Sequence, residues 1–498
     1  MHRLAALKQV FKPLRLSVPV RLAFSERKLL LRSGDLFLIA TSIGLALLIW
    51  SAWSGRTLDW ALLRWQVPWM GLMLFGWPLL LMLNDMYDLR VAARLGISAR
   101  RILTSSVSIT IVYLALFFIT SRTPALSVYP AILTNLGSDA MLRLAPVMAI
   151  GIATGLLLLW RAVYVWALCG PQARSRLVIL GAGRAGTALC EVILQQHRAH
   201  YHLLGFLDDD PAKQAQSINT IPVLGGHEQL AQLVEAQCLD EIAIAISTEV
   251  RGSLFQTVMD CHERGITITP MPLLYERLTG RVAVEHIGSQ WYVALPLQPP
   301  AASPALRFIK RLIDLTFGIL LGLVFVLVTP VIALAIRLDS PGPIFYRQER
   351  VGLHGRTFYV LKFRSMTEDA EQDGEAHWAV ENDQRITRVG RILRRIRFDE
   401  LPQVLNVIRG EMSLVGPRPE RPQLVEQLQD QIPFYRTRLA AKPGLTGWAQ
   451  INYGYGNSVE DALIKLQYDL YYLKHQSPWF DLLIILRTIG VVVRMKGL

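Results

Sequence analysis

Four long apolar segments near the start of the chain constrain its fold most. They lie at about residues 36–53, 67–83, 103–120 and 145–168, and each is near the length that a helix needs to cross a bilayer. Hydrophobic residues make up 52% of the 498 residues, and the formal net charge is +13. This composition is not that of an ordinary soluble protein. It predicts a multidomain membrane protein with an N-terminal four-helix transmembrane region over residues 1–170.

The distribution of charge predicts how this region is oriented. Arginines are concentrated near the N-terminus and in the 84–102 loop, whereas the loops at 54–66 and 121–143 carry fewer cations. Positive-inside reasoning then places the N-terminus and the chain after residue 170 in the cytoplasm. The four scattered cysteines match no disulfide or zinc spacing, which agrees with a reducing cytosolic setting for the soluble parts.

A glycine-rich turn predicts a second, Rossmann-like α/β domain over residues 174–297. A buried-strand pattern runs into a G-x-G-x-x-G turn and a helix, and a second strand ends at an acidic residue. In such domains the glycines hold a phosphate and the acid holds a ribose hydroxyl. The alternative is that the glycines only make a tight turn and close packing. The candidate cofactor-binding residues are Gly181, Gly183, Gly186 and Asp208.

A fifth apolar run, 312–338, follows a proline-rich linker at 298–304 and opens a third domain over residues 305–498. Length alone favours a spanning helix. Cations lie at both ends of the run, however, so both ends prefer the cytoplasmic face; they are Arg307, Lys310 and Arg311 at its start and Arg337, Arg347 and Arg350 at its end or after it. Pro330 can kink a helix. We therefore predict a re-entrant membrane insertion, helix–break–helix, and a C-terminal α/β transferase domain after it.

An arginine-rich segment of this domain contains two adjacent carboxylates. Asp399 and Glu400 stand just before Pro402 and a series of apolar residues at helical spacing that ends at Gly410, which predicts a short helix starting directly after them. The N-terminus of a helix favours anions, and three arginines approach it. A solvated helix cap is the alternative. Carboxylates beside guanidinium groups nevertheless suit phosphoryl transfer.

Several further motifs carry a resemblance to one family. They are Lys310-Arg-Leu-Ile-Asp314, Asp339-Ser-Pro-Gly-Pro343, Phe345-Tyr-Arg-Gln-Glu-Arg-Val-Gly352, Lys362-Phe-Arg-Ser-Met366, Gly416-Pro-Arg-Pro-Glu420 and Lys442-Pro-Gly-Leu-Thr-Gly-Trp-Ala-Gln450. With the arginine-rich segment they cover about the last 190 residues in the family's order. This region resembles the bacterial sugar transferases, the monotopic phosphoglycosyltransferases that use polyprenyl phosphate. One departure is Arg397-Phe398, where many relatives carry a small hydroxyl residue and leucine.

The resemblance implies an enzyme that transfers hexose 1-phosphate from a UDP-sugar to undecaprenyl phosphate and releases UMP. It implies UDP-glucose as donor, with UDP-galactose as the alternative, and a place at the first membrane step of exopolysaccharide, capsule or O-antigen synthesis. Asp399 is then the nucleophile of a covalent ping-pong mechanism, and Glu400 holds Mg²⁺. The residues expected to hold phosphates are Arg394, Arg418, Lys362 and Arg364, the last two projecting to one face of a predicted strand.

The expected partners are the UDP-sugar, undecaprenyl phosphate and membrane lipids, with a homodimer by analogy and no nucleic acid. The expected location is the bacterial inner (plasma) membrane, multi-pass, with the catalytic domain on the cytoplasmic face. Two other classes stay open, an NAD-dependent nucleotide-sugar enzyme and a non-catalytic membrane scaffold. The last apolar stretch, Trp479 to Arg494, predicts either an interfacial helix or a buried core helix.

Overall fold

The computed structural model describes residues 22, 24–55, 57–122, 140–170, 173–214, 216–235, 239–246, 252–286, 303–367, 385–454, 456 and 458–493. The predicted linker at 298–304 lies outside these ranges up to residue 302. The chain divides into two compact units. One contains Met1–Ala182, Cys190–Ile242 and Gln256–Ile268, and the other contains Gly183–Leu189, Ala243–Phe255 and Thr269–Leu498.

Five helical segments among the described residues are long and apolar enough to cross a membrane, and four of them precede the α/β sheet. This part of the chain forms α1 (Phe24–Ser54), α2 (Trp60–Gly71), a π-helical turn (Leu72–Gly76), α3 (Trp77–Leu83), α4 (Leu89–Ala92), α5 (Leu95–Arg122) and α6 (Ala140–Leu168). Helix α1 begins twelve residues before the predicted apolar segment, because basic and polar residues extend its first turns. The helices are therefore longer than the apolar segments alone indicate.

A buried ion pair joins the first and last of these helices. Arg161 on α6 lies with its Nη2 atom 2.6 Å from Oδ2 of Asp35 on α1, and both side chains are almost fully buried. Nearby, Arg27 donates from Nη1 to the carbonyl oxygen of Leu168 at 2.6 Å. Buried charges are tolerated when they are paired, and breaking such a pair is costly. These contacts hold α1 against α6.

The predicted α/β domain is built on one six-stranded sheet with strand order β3-β4-β2-β1-β5-β6. Strands β1, β2 and β4 are parallel, and β3 pairs with β4 antiparallel. The observed β2, Tyr201–Leu207, ends directly before Asp208, the acidic residue at which the second strand was predicted to end. The bounds are β1 (Ser175–Leu180), α7 (Arg184–Val192), β2 (Tyr201–Leu207), β3 (Ser217–Ile218), β4 (Ile221–Gly225), α8 (Gln229–Glu235), β5 (Glu241–Ile244), α9 (Gly252–Glu263), β6 (Thr267–Pro270) and α10 (Met271–Thr279).

The C-terminal region combines one long apolar helix with short strands and helices. Its elements are α11 (Pro304–Asp339), β7 (Phe345–Val351), β8 (Thr357–Phe363), α12 (Arg388–Arg395), a 3₁₀ turn (Phe398–Gln403), α13 (Val404–Arg409), β9 (Ser413–Val415), α14 (Pro422–Gln431), a 3₁₀ turn (Tyr435–Ala440), β10 (Gly444–Thr446), α15 (Trp448–Asn452), α16 (Val459–His475) and α17 (Pro478–Val493). Strands β7 and β8 form an antiparallel hairpin, and β9 pairs with β10 in parallel. The result is the predicted α/β region.

Helix α11 packs on this region along most of its length. Near its start, Asp314 is buried and accepts hydrogen bonds from Ser413 Oγ and Leu414 N, both at 2.9 Å. Near its end, Ile336 is buried in an apolar cluster with Phe363 and other core residues. Its opposite face exposes large apolar side chains, among them Leu312, Ile319, Leu323, Leu327, Val331, Leu334 and Leu338. One face therefore belongs to the core, and the other needs an apolar environment.

The predicted helical break at Pro330 is not an interruption of secondary structure. Helix α11 continues through Pro330 to Asp339 as one element. A proline inside a helix removes one hydrogen bond but does not have to end the helix where flanking residues are packed. Phe325 and Ile332 on either side lie in the same buried cluster, which explains why the helix continues.

Helix α17 combines features of both alternatives for the last apolar stretch. Asp481 and Ile484 are buried, whereas Trp479 and Ile489 are exposed. One face of α17 is therefore part of the core and the other presents apolar side chains outward. Arg494, which ended the predicted stretch, lies outside the described residues.

Candidate functional site

The two adjacent carboxylates lie in a tight turn that leads into a helix. Asp399 and Glu400 belong to the 3₁₀ turn Phe398–Gln403, and α13 begins at Val404. Sequence predicted that the helix starts directly after Glu400. The difference has a local cause, because Pro402 supplies no N–H, and the N–H of Val404 reaches the carbonyl oxygens of Leu401 and Pro402. The predicted C-cap is present, since Gly410 has φ +88°.

Glu400 is held by two basic side chains. Lys362 on β8 donates from Nζ to Oε1 of Glu400 at 3.2 Å. Arg418 donates from Nη1 to Oε2 at 3.2 Å and from Nη2 to Oε1. This bidentate arrangement is the strong form of a carboxylate–guanidinium contact. Glu400 therefore carries its negative charge in a buried environment, where its side chain is 10% exposed.

The two carboxyl groups differ in their proton affinity. Burial raises the pKa of Asp399, and the charge of Glu400 raises it further, against the opposing effect of Lys362, Arg394 and Arg418. Burial also acts to raise the pKa of Glu400, but the positive charges of Arg418 and Lys362 outweigh it and hold that pKa well below its usual range. The environment thus fixes Glu400 as an anion and makes Asp399 the more basic carboxylate.

Two further arginines complete a cationic ring around the pair. Arg394, at the end of α12, contributes to the electrostatics of Asp399, and its Nη1 atom is buried without a hydrogen-bond partner among the described residues. Arg397 lies with Nη1 4.0 Å from Oε2 of Glu400 and has the left-handed backbone φ of +59°. A non-glycine residue in that conformation stores strain, which is common at functional sites. Four cations thus surround two carboxylates, leaving positive charge for an anion.

Arg418 stands on a loop, residues 416–420, that packs backbone against backbone. Gly416 N donates to the carbonyl oxygen of Thr446, and Gly444 N donates to that of Pro417, both at 2.9 Å. A Cβ atom added at Gly416 would lie 2.3 Å from the carbonyl oxygen of Lys442, so only glycine fits. Two of the family motifs, 416–420 and 442–450, therefore meet here. Their contact sets where Arg418 stands.

Comparison with known proteins gives the same location for the transferase region. The sequence model described as "Bacterial sugar transferase" matches residues 305–495. A second model, described as "CoA-binding domain", matches residues 82–272. Together these models cover the α/β sheet, the C-terminal region and part of the N-terminal apolar helices.

Curated relatives extend the match beyond the transferase region. A UDP-N-acetylgalactosamine-undecaprenyl-phosphate N-acetylgalactosaminephosphotransferase of Aeromonas hydrophila is 40% identical over 50% of this chain and 57% of its own length. A UDP-glucose:undecaprenyl-phosphate glucose-1-phosphate transferase of Xanthomonas campestris pv. campestris is 34% identical over 65% and 67%. A UDP-galactose-lipid carrier transferase of Erwinia amylovora is 30% identical over 65% and 69%. The chain belongs to the bacterial sugar transferase family. It spans less than two thirds of the Aeromonas relative.

In this sugar transferase, five of the six residues expected to act on phosphate or metal lie together. They are Asp399, Glu400, Arg394, Arg418 and Lys362. The sixth, Arg364, differs, because its guanidinium donates to the carbonyl oxygens of Pro341 at 2.6 Å and Ser340 at 2.7 Å. Strand β8 ends at Phe363, so Arg364 does not share the strand face of Lys362 as predicted. Its contacts are those of a residue that holds the loop after α11.

The carboxylate pair fits a magnesium ion that is shared with a substrate. No group of three or more His, Cys, Asp or Glu side chains among the described residues is arranged to hold a metal. Mg²⁺ is commonly bound by one or two carboxylates together with waters and phosphate oxygens. Glu400 and Asp399 match that donor set. The residues therefore suit an ion that arrives with a phosphate, not a cage made of protein ligands alone.

The candidate cofactor residues of the α/β domain are partly engaged within the protein. Asp208 accepts hydrogen bonds from Ala182 N at 2.8 Å and from Lys213 Nζ at 3.1 Å. Gly181 has φ +111°, as a tight turn requires. Gly183 has open space where a Cβ would stand, and Gly186 lies in α7. The geometry agrees with a tight turn, and binding of a dinucleotide stays a prediction.

Sequence reasoning counted Arg397 among the three arginines that approach the carboxylates, with Arg394 and Arg395, but did not include it among the phosphate-binding residues. The signal available was its place in a dense run of arginines just before the carboxylates. Its left-handed conformation had no signal, because arginine does not favour that region. The residues that hold the backbone of the 416–420 loop were also missed, since they lie far from it in sequence.

We expect Arg394→Gln to weaken binding of inorganic pyrophosphate by about 10- to 100-fold, the value of one charge-assisted hydrogen bond. The reason is that its Nη1 atom is buried, has no hydrogen-bond partner among the described residues and can donate to an added anion. Isothermal titration calorimetry on the purified protein measures this. Arg391→Gln, an exposed arginine on the same helix, is the matched control and should leave the affinity unchanged. Equal effects of the two variants would contradict the assignment of Arg394.

Proposed function

We propose that this protein transfers hexose 1-phosphate from a UDP-sugar to undecaprenyl phosphate. The observation that carries the proposal is the buried carboxylate pair inside its ring of cations, with Glu400 fixed as an anion and Asp399 left more basic. A nucleophilic carboxylate beside fixed positive charge is what phosphoryl transfer between two phosphate substrates requires. Family membership and the names of the relatives support the same reaction.

In the first half-reaction, a carboxylate oxygen of Asp399 attacks the phosphorus that bears the sugar. An Asp399–phosphorus bond forms, the bond from that phosphorus to the bridging oxygen breaks, and UMP leaves with that oxygen. In the second half-reaction, an oxygen of undecaprenyl phosphate attacks the same phosphorus and releases the Asp399 carboxylate. The product is undecaprenyl-diphosphate-sugar. No proton has to be taken from either nucleophile, so the scheme needs no histidine.

The basic side chains stabilise the charge that builds up on the phosphate oxygens. Arg394 and Lys362 approach the attacked phosphate, and Arg418 exchanges part of its contact with Glu400 for the substrate. Glu400 would hold Mg²⁺. When bound, that ion would neutralise part of the negative charge on the substrate's phosphates. Arg364 keeps its structural contacts to residues 340 and 341.

For the donor we propose UDP-glucose. The support is the name of the Xanthomonas relative, which aligns over 67% of its own length. UDP-galactose is the alternative through the Erwinia relative. The Aeromonas relative, at 40% identity, favours UDP-N-acetylgalactosamine as a further candidate. The test therefore has to compare the three donors directly.

We expect purified full-length protein to release UMP from one of these donors when undecaprenyl phosphate and Mg²⁺ are present, and to stop when EDTA is added. Asp399→Asn should lower the rate by about three orders of magnitude or more, because it removes the nucleophile. Asp430→Asn, at an exposed aspartate of α14, is the matched control and should keep the rate. Release of UDP instead of UMP contradicts the mechanism, and no release from any donor favours a non-catalytic scaffold.

The pH dependence of this rate reports on Asp399. Its pKa is raised by burial, so the reactive carboxylate is lost as pH falls through a value above about 4, the ordinary aspartate pKa. We expect the acid limb of kcat/KM to lie above that value. Lys362→Met should move the midpoint to still higher pH, because the Lys362 charge lowers the Asp399 pKa.

The control for this profile is Lys474→Met, whose ammonium pairs with Glu276 and not with the carboxylate pair. Its acid limb should coincide with that of the unaltered protein. An acid limb at the ordinary aspartate value, or one that Lys362→Met leaves in place, would count against Asp399 as the group that titrates.

The proposal includes four N-terminal transmembrane helices and a re-entrant α11 in the bacterial inner membrane, with the transferase region on the cytoplasmic face. Support for the re-entrant path comes from packing, since Asp314 near the start of α11 and Ile336 near its end both contact the same region. Basic residues also stand at both ends. We propose that α11 changes direction by bending at Pro330 without ending there, since a proline inside a helix removes a hydrogen bond. The predicted homodimer stays a prediction.

Single cysteines at Ser303 and Ser340, the two ends of α11, test this path in a variant without native cysteines. We expect a membrane-impermeant maleimide to label both in inside-out vesicles and neither in intact cells with a permeable outer membrane. Thr57→Cys, in a loop predicted to face the opposite side, is the control and should label in intact cells. Ser303 and Ser340 labelling from opposite sides would mean that α11 crosses the membrane.

A further inference from the structure

Every carbonyl oxygen of residues 417–420, the last four of the 416–420 loop, accepts a hydrogen bond. The donors are Gly444 N to Pro417 at 2.9 Å, Arg438 Nη2 to Arg418 at 2.9 Å, Arg350 Nη1 to Pro419 at 3.0 Å and Val351 N to Glu420 at 2.9 Å. Two of these donors are arginine side chains. All four partners come from other segments of the chain, so the backbone of this loop has little freedom to move.

Arg438 is the buried member of these two arginines. Its side chain is 6% exposed, and it donates from Nη1 to Tyr435 Oη at 2.8 Å. Its Nη2 atom lies 2.8 Å from Oδ2 of Asp469 on α16, which is 1% exposed. Burial raises the pKa of Asp469 to about 6, and the charge of Arg438 opposes that shift. A buried ion pair of this kind is costly to place, and its attested use is to specify a geometry.

The geometry that this pair specifies is the backbone position of Arg418. The Arg438 guanidinium holds the Arg418 carbonyl oxygen, and the Arg418 guanidinium holds Glu400. Arg418 has a long side chain, so a small rotation of its backbone displaces its guanidinium by much more. A displacement of about 1 Å in a phosphate-binding group costs a large part of the rate.

We propose that Arg438, held in place by Asp469, is a positioning residue that fixes Arg418 for the diphosphate of the donor. The inference rests on the proposed function and adds to it a residue that acts only through Arg418. The planar fork of arginine reaches the Arg418 carbonyl oxygen and Tyr435 at the same time, whereas lysine offers one compact ammonium. Arg438→Lys therefore keeps the charge opposite Asp469 but loses part of the geometry.

The experiment is a double-mutant cycle on the full-length protein with Arg438→Gln, Arg418→Gln and both together. Two quantities are measured, kcat/KM for UMP release and the dissociation constant of UDP by calorimetry. We expect Arg438→Gln alone to lower kcat/KM by about 10- to 100-fold and to weaken UDP binding in proportion. In the Arg418→Gln background, the same substitution should change neither quantity further, since Arg438 acts through Arg418.

Arg436→Gln is the matched control, because Arg436 is an exposed arginine on the same 3₁₀ turn and contacts Gln429. It should leave both quantities unchanged. Arg438→Lys, with the charge retained, should keep the unfolding temperature near that of the unaltered protein while losing part of kcat/KM. If Arg438→Gln does not fold, Arg438→Lys carries the cycle in its place.

Additive losses in the two backgrounds would overturn the inference, since they indicate a general structural role. An unchanged UDP affinity in Arg438→Gln and Arg438→Lys would overturn it as well. The UDP measurement needs no turnover. If the unaltered protein binds UDP but releases no UMP, the proposed function fails. The UDP dissociation constants of the double-mutant cycle then test the role of Arg438 by themselves.

Discussion

The ion pairs of Glu400 are the interaction on which the rest of the site depends. Two adjacent carboxylates in a buried turn repel each other and lose hydration, so both cannot be ionised there without compensation. Arg418 and Lys362 donate hydrogen bonds to Glu400, so they compensate its charge more than that of Asp399. Burial and the charge of Glu400 therefore raise the pKa of Asp399. One carboxylate is thereby a fixed anion, and its neighbour is a stronger nucleophile than an ordinary aspartate.

This division of roles makes the position of Arg418 critical, because in the proposed reaction Arg418 contacts both Glu400 and the incoming diphosphate. A flexible loop would let it follow either one. The hydrogen-bonded carbonyls of residues 417–420 and the glycine contact between Gly416 and Gly444 remove that freedom. The stiffness of the two prolines that flank Arg418 acts in the same direction. Rigid support thus replaces the ordering that binding would otherwise require.

The sequence was informative where chemistry and local rules coincide. Asp399, Glu400 and Arg418 were found because carboxylates, guanidinium groups and prolines stand close together in the chain, and Gly410 because helix ends obey local rules. Strands β1 and β2 of the α/β domain were found from apolar runs and a glycine-rich turn, whereas β3 and β4 were not predicted. The predictions that failed depend on packing between segments that are distant in sequence. The alternation that placed Arg364 beside Lys362 ends one residue too early, at Phe363.

The burial of Arg438 also depends on a contact that is distant in sequence. Nothing local distinguishes it from Arg436, two residues earlier on the same 3₁₀ turn, yet one is buried and the other exposed. The difference comes from Asp469, which reaches it from a helix thirty-one residues further along the chain. A single sequence contains no sign of such a pairing. The continuity of α11 through Pro330 is similar, since it depends on a buried cluster built from several distant segments.

The first turns of α11 also contact both halves of the site. Arg311 donates to the carbonyl oxygens of Val407 and Ile408, both at 2.7 Å, and so caps the helix that follows the carboxylate pair. One turn further on, Asp314 holds β9, the strand that leads directly into the Arg418 loop. Both halves of the site are thus tied to the same two turns of one apolar helix. In the proposed membrane insertion, the depth of α11 therefore sets the depth of Asp399 and Arg418 together. The proposed lipid phosphate lies in the headgroup plane and can be reached only if that depth is fixed, so the contacts of Arg311 and Asp314 then have a role beyond stability.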